Sequence, residues 1–411
     1  MNKVDVIGIG AINFDYIYTS PKTDNKENKN KIDDGEESFI KQHVFDERIE
    51  KIDVFSTQLH TQIGGSSLLA IRTLKSMCSQ LKTAYVGVYG QIPSFAKNKN
   101  LPQTSEELKN ELSEYIDDTS WLFYEKEMNT GCALVKLFKK KRQFINVLPG
   151  ANDTLLEHIE KKGRDLFVSF LSSAKWIHLT SLASVYQFKV ISECIREAKD
   201  INPALQVSVD PGYDYTKNHW KTLKSILPIA NYLFLSRTEF SNLTQNTSLS
   251  LPAKATVLGK ELINIDANPQ IIIIKGKTNT VLLSLIEKHP FIRTYHHKKI
   301  PLSRIKNDTG AGDAFAGGFI AGMLSPEMLS HQPAPIELAM IAANTRLKTK
   351  EWPTEFKQNA IDYFKRNMKE EEQNRKQFFY HKLKLLKNPL LDFIIGIIVG
   401  LVVHWLLQII G

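Results

Sequence analysis

Short apolar runs alternate with longer amphipathic stretches along most of the chain. Apolar runs of strand length lie at residues 4–9, 84–88, 175–179, 205–209, 232–235, 271–275 and 280–285. Residues 186–199 and the stretch after Gly65 instead space their apolar positions three or four apart, as amphipathic helices do. Strands that alternate with helices predict an α/β fold with a mainly parallel central sheet. Ligands of such sheets bind beyond the carboxyl ends of the strands.

Two polar stretches interrupt this pattern. Residues 20–37 are charged and nearly free of apolar side chains, which predicts a surface loop or a disordered insertion. Residues 351–388 are rich in Lys, Arg and Glu with helical character. We therefore expect one domain over residues 1–350, a charged helical linker over 351–388, and a separate final segment over 389–411.

The final segment is largely apolar. Residues 390–410 are long enough to cross a hydrocarbon core of about 30 Å as one helix. Lysines precede this stretch and no charge follows it, so the positive-inside rule predicts a single-pass C-terminal anchor with the domain in the cytoplasm. The alternative is an apolar helix docked on the domain or buried in an oligomer. Gly396 and Gly400 form a GxxxG pattern that would permit such pairing in a homodimer.

Composition excludes several function classes. The net charge of +9 is diffuse, without a Lys/Arg run or zinc-finger spacing, so we expect no nucleic-acid partner. The three cysteines are far apart and odd in number, which argues against a disulfide framework or a zinc site.

The strongest local motif is NDTGAGDAFAGGFI, at residues 307–320. Gly310, Ala311 and Gly312 are small, so their backbone N–H groups can approach an anion at the start of a helix, where the helix dipole favours negative charge. Asp313 would lie beside that anion. Donors for a moving phosphoryl group and a base for the attacking hydroxyl are what phosphoryl transfer needs. The alternative is a glycine-rich helix start in which Asp313 only complements the dipole.

This motif resembles the second signature of the PfkB, or ribokinase-like, carbohydrate kinases, including Gly317 and Gly318 in the following helix. The resemblance implies a ribokinase-like three-layer α/β/α domain with a small β lid. It implies that Asp313 is the catalytic base and that Gly310, Ala311 and Gly312 form the anion hole. It also implies ATP as co-substrate and Mg²⁺ as cofactor.

Other landmarks follow in the family's order. Residues 10–15 are similar to the end of the family's first strand, which implies that Asn13 and Asp15 contact the sugar. Gly64 and Gly65 resemble the Gly-Gly that closes over the substrate. The family's lid would draw on residues 38–62 and 121–147.

Further likenesses to the family follow along the chain. Gly150-Ala151-Asn152 matches a recurrent tripeptide, and Asp210-Pro211 resembles a strand end near the phosphates. Residues 236–239 resemble the family's Asn-x-x-Glu, which implies that Glu239 holds Mg²⁺ through water. Gly276 and Asn344 match weaker nucleotide-binding positions.

Three positions depart from the family. Leu69 stands where an Asn is usual, Ser236 replaces another Asn, and Asp308 replaces a small residue. We expect an ATP-dependent kinase that phosphorylates a hydroxymethyl group of a sugar, sugar phosphate or nucleoside. The departures leave open a catalytically weak or inactive, membrane-tethered nucleotide or sugar sensor.

Overall fold

A computed structural model describes most of the chain. The described residues are 3–19, 36–55, 57–96, 101–138, 141–244, 251–264, 271–276, 279–286, 289–296, 300–325 and 335–362. They divide between two compact units, Met1–Lys357 and Gln358–Gly411. The predicted membrane helix at residues 390–410, with Gly396 and Gly400, lies outside the described residues. Within the described ranges, no helix is long and apolar enough to cross a membrane.

The described strands are β1 (Val6–Ile9), β2 (Asn13–Thr19), β3 (Glu36–Phe39), β4 (Thr57–Gly64), β5 (Thr83–Gln91), β6 (Leu122–Asn129), β7 (Gly131–Phe138), β8 (Lys141–Leu148), β9 (Trp176–Thr180), β10 (Gln206–Asp210), β11 (Tyr232–Ser236), β12 (Ile271–Lys275), β13 (Asn279–Ile286) and β14 (His289–His296). The described helices are α1 (Gln42–Phe55), α2 (Ser66–Met77), α3 (Ser105–Ser113), α4 (Leu155–Lys162), α5 (Arg164–Ser172), α6 (Val185–Ile201), α7 (Gly212–Asn218), α8 (Trp220–Ile226), α9 (Arg237–Thr244), α10 (Leu251–Asn264), α11 (Ala311–Leu324) and α12 (Pro335–Lys348).

The large sheet confirms the predicted α/β fold. Its strand order is β14-β13-β12-β11-β10-β9-β1-β5-β6. The pairs from β12 across to β6 are parallel, and only the two pairs that involve β13 are antiparallel. The apolar runs that predicted these strands are buried on both faces, as parallel strands require.

Helices cover both faces of this sheet. Successive side chains of a strand point to opposite faces. On β1, a Cβ added to Gly8 would meet Ile71 of α2. Ile7 and Ile9 belong instead to the large apolar core with Phe167 of α5 and Phe188 of α6.

A second, smaller sheet has the strand order β3-β8-β7-β2-β4 and is called the lid below. β2 pairs antiparallel with β4 and parallel with β7. One face of the lid packs on α1, where Phe45 and Ile52 join Tyr16, Tyr18 and Leu134 in one apolar cluster.

The lid corrects three sequence-based expectations. Residues 13–15 do not end the first strand, because the chain leaves β1 and begins β2 in the other sheet. Residues 36 and 37, assigned to the polar insertion, begin the lid strand β3. Residues 122–129 were expected in the lid, but they form β6 at the edge of the large sheet.

Candidate active site

The lid end of the site consists of Asn13, Asp15, Gln62, Gly64 and Gly65. Asn13 and Asp15 lie on the same face of β2 and are 8% and 6% exposed. Gln62 is directly opposite Asp15 across the β2–β4 pair, and its Nε2 donates to Asp15 Oδ2 at 3.2 Å. A Cβ on Gly64 would collide with the Asp15 carboxylate. The small residue therefore lets this carboxylate lie against the backbone of β4.

Gly65 joins the lid to α2. Its φ of +112° is a conformation that side chains rarely adopt, and a Cβ there would collide with the carbonyl oxygen of Ala11. Glycine is therefore required where β4 turns into the first turn of α2.

Asn152 fixes the start of β2. Its Oδ1 accepts from Ile12 N at 2.9 Å, while its Nδ2 donates to Ile12 O at 3.0 Å and to Asn13 Oδ1 at 3.1 Å. The motif Gly150-Ala151-Asn152 thus holds the crossing from the large sheet to the lid, and it orients the Asn13 amide.

The helix end of the site consists of Gly310–Asp313 with the neighbouring Asp210, Glu239 and Lys275. Gly310 precedes α11 in a left-handed conformation, with φ of +83°. A Cβ there would lie 2.6 Å from the Trp352 ring, so the turn also needs glycine for space. Ala311, Gly312 and Asp313 form the first turn of α11, and Asp313 is half-buried.

Ser236 and Glu239 cap α9 reciprocally. Glu239 N donates to Ser236 Oγ at 3.2 Å, and Ser236 N donates to Glu239 Oε2 at 2.6 Å. This is the capping-box arrangement, for which Ser is a favoured residue. The departure from Asn at position 236 therefore preserves the helix start and the position of Glu239, which is 7% exposed.

Lys275 was not predicted as a site residue. It ends β12, and its Nζ lies 2.5 Å from Asp210 Oδ2 at the end of β10. Burial favours the neutral amine, but the nearby carboxylates of Asp210, Glu239 and Asp313 outweigh it and raise the pKa of Lys275. The ammonium therefore remains charged at neutral pH.

Arg346 of α12 was also missed. It is fully buried, and its guanidinium donates to Gln62 Oε1 at 3.0 Å and to the Thr349 carbonyl at 3.1 Å. Burial lowers its pKa to about 10, and the charges of Asp15, Asp313 and Asp308 oppose that shift. Arg346 therefore remains charged and lies within electrostatic reach of both ends of the site.

Three buried polar atoms surround this region without a hydrogen-bond partner in the described part of the chain. They are Thr309 Oγ1, Trp352 Nε1 and Arg346 Nε. Thr309 precedes Gly310, the Trp352 ring packs against Gly310, and Arg346 lies 5.1 Å from the centre of that ring. Buried polar groups usually have a partner, so these three atoms leave unused hydrogen-bonding capacity next to Gly310.

The remaining predicted positions are more peripheral. Gly276 directly follows β12, and Asn344 is half-buried on α12, which packs along α11. Leu69 is buried, and its Cδ1 would lie 3.3 Å from a Cβ on Gly310. It therefore packs beneath the turn before α11, where an Asn would offer an amide. Asp308 is half-buried next to the motif.

The missed residues carry no local pattern. Lys275 ends a run of four isoleucines, and Arg346 lies 284 residues beyond Gln62. A charged residue that ends an apolar strand was the one available indication for Lys275, since ligands bind at such strand ends. Nothing in the sequence indicated that Arg346 would reach the lid.

Comparisons with solved structures agree with this fold. An adenosine kinase from Anopheles gambiae, in complex with P1,P4-di(adenosine-5) tetraphosphate, superposes with a TM-score of 0.65 at 16% identity, covering 85% of this chain and 96% of that chain. An adenosine kinase from Schistosoma mansoni, in complex with 2-fluoroadenosine, gives 0.64 at 18%, with coverage of 85% and 96%. Ribokinase from Giardia lamblia gives 0.63 at 15%, with coverage of 88% and 99%. At these identities the likeness establishes a ribokinase-like fold alone.

Sequence comparison establishes the family. No curated protein matches the chain. The family model described as pfkB family carbohydrate kinase matches residues 102–345, more than half of the 411 residues. That range contains the whole helix end of the site, whereas the lid end precedes it. The chain belongs to the pfkB family of carbohydrate kinases.

Proposed function

We propose that this chain is a kinase that transfers the γ-phosphoryl group of ATP to a hydroxymethyl group of a sugar, sugar phosphate or nucleoside. The observation that carries the proposal is the position of Asp313, in the first turn of α11 directly after the left-handed Gly310. Arg346 donates to Gln62, the neighbour of Asp15. It also lies 5.1 Å from the centre of the Trp352 ring that packs against Gly310, which supports one site with two ends. Family membership supports the same reaction class.

Each side chain has a defined task in this reaction. Asp15 accepts hydrogen bonds from acceptor hydroxyls and orients the reactive one, and Asn13, whose Oδ1 is held by Asn152, offers its Nδ2 as a donor. Asp313 takes the proton of the reactive hydroxyl while the hydroxyl oxygen forms a bond to the γ-phosphorus. The bond from the γ-phosphorus to the bridging oxygen breaks, and the electron pair leaves with ADP. The backbone N–H groups of Gly310, Ala311 and Gly312 stabilise the charge on the phosphoryl oxygens.

The residues present fit a magnesium ion that is held mainly by nucleotide phosphates. Mg²⁺ commonly binds one or two carboxylates besides phosphates and keeps several waters. In the described part of the chain, no cluster of three or more acidic, His or Cys ligands forms a dedicated cage. Glu239, at the end of the capping box with Ser236, would hold the hydrated ion through water. Bound Mg²⁺ would neutralise phosphate charge.

The lid face beside Asp15 supports an acceptor with hydroxyls next to an apolar surface. Strand register places Ala133 of β7 directly opposite Asp15, and Ile17 lies on the same face of β2. Both belong with Val135 and Val147 to a buried apolar cluster. A nucleoside combines these features, and a sugar offers the hydroxyls. Gly276 and Asn344 are proposed contacts of the nucleotide on the other side of the site.

The test is an ADP-release screen of the purified full chain. It contains Mg²⁺-ATP and a panel of sugars, sugar phosphates and nucleosides. We expect one acceptor class to give turnover and Asp313→Asn to lower kcat by about 10²- to 10⁴-fold, because general-base catalysis contributes that much. The matched control is Asp165→Asn, which removes an exposed first-turn aspartate from α5. If Asp313→Asn and Asp165→Asn both leave kcat near the wild-type value, Asp313 only complements its helix dipole.

The same screen tests the second candidate function, a membrane-tethered nucleotide or sugar sensor. Leu69, which packs beneath Gly310 where an Asn amide is usual, favours this candidate. A sensor would bind ATP without turnover on any acceptor. Acceptor-dependent ADP release that requires Asp313 would reject it.

We also propose, from the sequence alone, that residues 390–410 anchor the chain in a membrane, with the kinase domain on the cytoplasmic side. Carbonate-resistant membrane pelleting should be seen for the full chain and lost when residues 389–411 are deleted. Detergent-free oligomers of the full chain would instead support helix pairing through Gly396 and Gly400.

A further inference from the structure

Lys275 places a buried positive charge at the carboxyl edge of the large sheet. It ends β12 directly beside Ser236, the last residue of β11. Its side chain is 15% exposed, and its partner Asp210 at the end of β10 is 9% exposed. Removing two such charges from water is costly, and an apolar pair of similar size is often as stable. Fold stability alone therefore does not account for a lysine at this position.

The ammonium lies against the first turn of α11. A Cβ added to Gly312 would be 3.4 Å from Lys275 Nζ and 3.9 Å from its Cε. The positive end of the helix dipole and the lysine charge thus converge at one place. Asp313 belongs to the same turn and contributes to the electrostatic environment of Lys275.

Lys275 has hydrogen-bonding capacity beyond its ion pair. An ammonium carries three N–H donors. Among the described residues, Asp210 is its hydrogen-bond partner, at 2.5 Å, and the Phe234 ring lies 5.9 Å away as an apolar neighbour. Asp210 therefore anchors the ammonium while further donors remain available to an anion at the helix start.

We propose that Lys275 is a further catalytic residue, whose ammonium binds the oxygens of the phosphoryl group in transfer while Asp210 holds it in place. The inference rests on the proposed kinase function and deepens it. Lys275 gives up no proton, because the hydroxyl proton goes to Asp313. It acts as a fixed charge that binds the γ-phosphate oxygens of ATP before the reaction and keeps this contact while charge develops during transfer, so its loss should weaken ATP binding.

The test measures binding of ATP, with Mg²⁺ and with EDTA, and of adenosine to the full chain by calorimetry. The decisive variant is Lys275→Met with Asp210→Asn, which leaves no unpaired charge and does not change the net charge of the site. We expect ATP to bind roughly 10- to 100-fold more weakly, with the larger loss in EDTA, because a hydrogen bond to a charged group contributes about that much. Adenosine, which lacks phosphate, should bind as before.

Two further variants control for indirect effects. Lys199→Met removes another half-buried lysine, which donates to Ile229 O and Asn231 Oδ1 away from the site, and it should leave ATP binding unchanged. Lys275→Gln keeps a donor for Asp210 without the charge, and it serves if the double variant fails to fold. Lys275→Gln should also weaken ATP binding and leave adenosine binding unchanged.

The outcomes separate the two proposals. If the wild type binds ATP and the double variant keeps the wild-type ratio of ATP to adenosine affinity, Lys275 is a structural ion-pair partner and the inference is overturned. Equal losses of ATP and adenosine affinity would also overturn it, because they would indicate general damage to the pocket. If the wild type binds no ATP at all, the kinase function fails first and the inference fails with it.

Discussion

The helix end of the candidate site is built mainly from one continuous segment, whereas the lid end is assembled from parts that lie far apart in the chain. Gly310 and the first turn of α11 are continuous in sequence, and the proposed phosphate-binding groups there are backbone N–H groups. Asp15 depends on Gln62, 47 residues away, and Gln62 in turn binds Arg346 at a separation of 284 residues. A backbone site can be recognised from local sequence, while a side-chain network becomes visible only in the fold.

The family match shows the same division. It begins at residue 102, so it includes the helix end and omits Asn13, Asp15 and Gly64. The residues that we propose to bind the phosphoryl group therefore lie within the matched range. The lid residues that we propose to bind the acceptor lie before the matched range.

The largest effect on stability is expected at Gly65, the hinge residue that joins lid strand β4 to α2. Gly65→Ala combines a positive φ with a collision against the Ala11 backbone. Backbone strain alone costs about 1–3 kcal/mol, and the collision adds to it because a backbone carbonyl cannot rotate away. Urea unfolding should show this loss.

Gly163→Ala is the matched control for that hinge variant. Gly163 has a similar φ of +114°, but the nearest atom to an added Cβ is a Leu166 side-chain carbon at 3.5 Å. Gly163→Ala should lose only the part of the free energy of unfolding that comes from backbone strain, because the added Cβ collides with no backbone atom. Equal losses in the two variants would mean that the contact with Ala11 is unimportant.

The next effect concerns the side-chain network of the lid end. Gln62→Leu removes one hydrogen bond to Asp15 and one from Arg346, both buried, and the loss of buried hydrogen bonds costs about 1–3 kcal/mol. We expect a lower free energy of unfolding and a higher KM for the acceptor. Ser38→Ala removes a lid hydrogen bond to the buried Asn146, away from Asp15. It should also lower the free energy of unfolding, by about 1 kcal/mol, but leave the KM for the acceptor unchanged. If Gln62→Leu leaves the KM for the acceptor unchanged, the position of Asp15 does not matter for acceptor binding.

The sequence predicted the elements whose pattern is local. The buried strands β1, β9, β10, β11 and β12 and the helix α2 follow directly from apolar spacing. β2 did not, because residues 13–19 mix polar and aromatic side chains and begin shortly after β1 without a strong turn signal. The charges of Lys275 and Arg346 could not be placed either, since their partners come from other strands and helices. Tertiary pairing, and not local preference, decides such positions.

A smaller effect of opposite sign is expected at the helix end. A Cβ on Gly312 would meet only Lys275, at ordinary contact distance. Gly312→Ala should therefore stabilise the fold by about 0.5–1 kcal/mol, because alanine loses less backbone entropy in a helix. The same methyl group would stand between the ammonium and the proposed phosphate, so ATP should bind more weakly while adenosine does not. If Gly312→Ala is more stable but binds ATP with unchanged affinity, the phosphate does not bind next to Gly312.

The smallest effect is expected at an ion pair outside both ends. Arg164 donates to both carboxylate oxygens of Glu197 at 2.7 Å, but the two side chains are 41% and 46% exposed. The hydrogen bond from Arg164 lowers the pKa of Glu197, so the contribution of the pair is complete above the unfolded pKa of Glu197 and is lost as pH falls through the folded value. Because water and salt screen exposed charges, Glu197→Gln should cost no more than about 1 kcal/mol at neutral pH. The difference from the wild type in urea unfolding should shrink at high salt and at acidic pH. A loss that is independent of both would mean that Glu197 stabilises α6 by packing, and that its geometry with Arg164 is incidental.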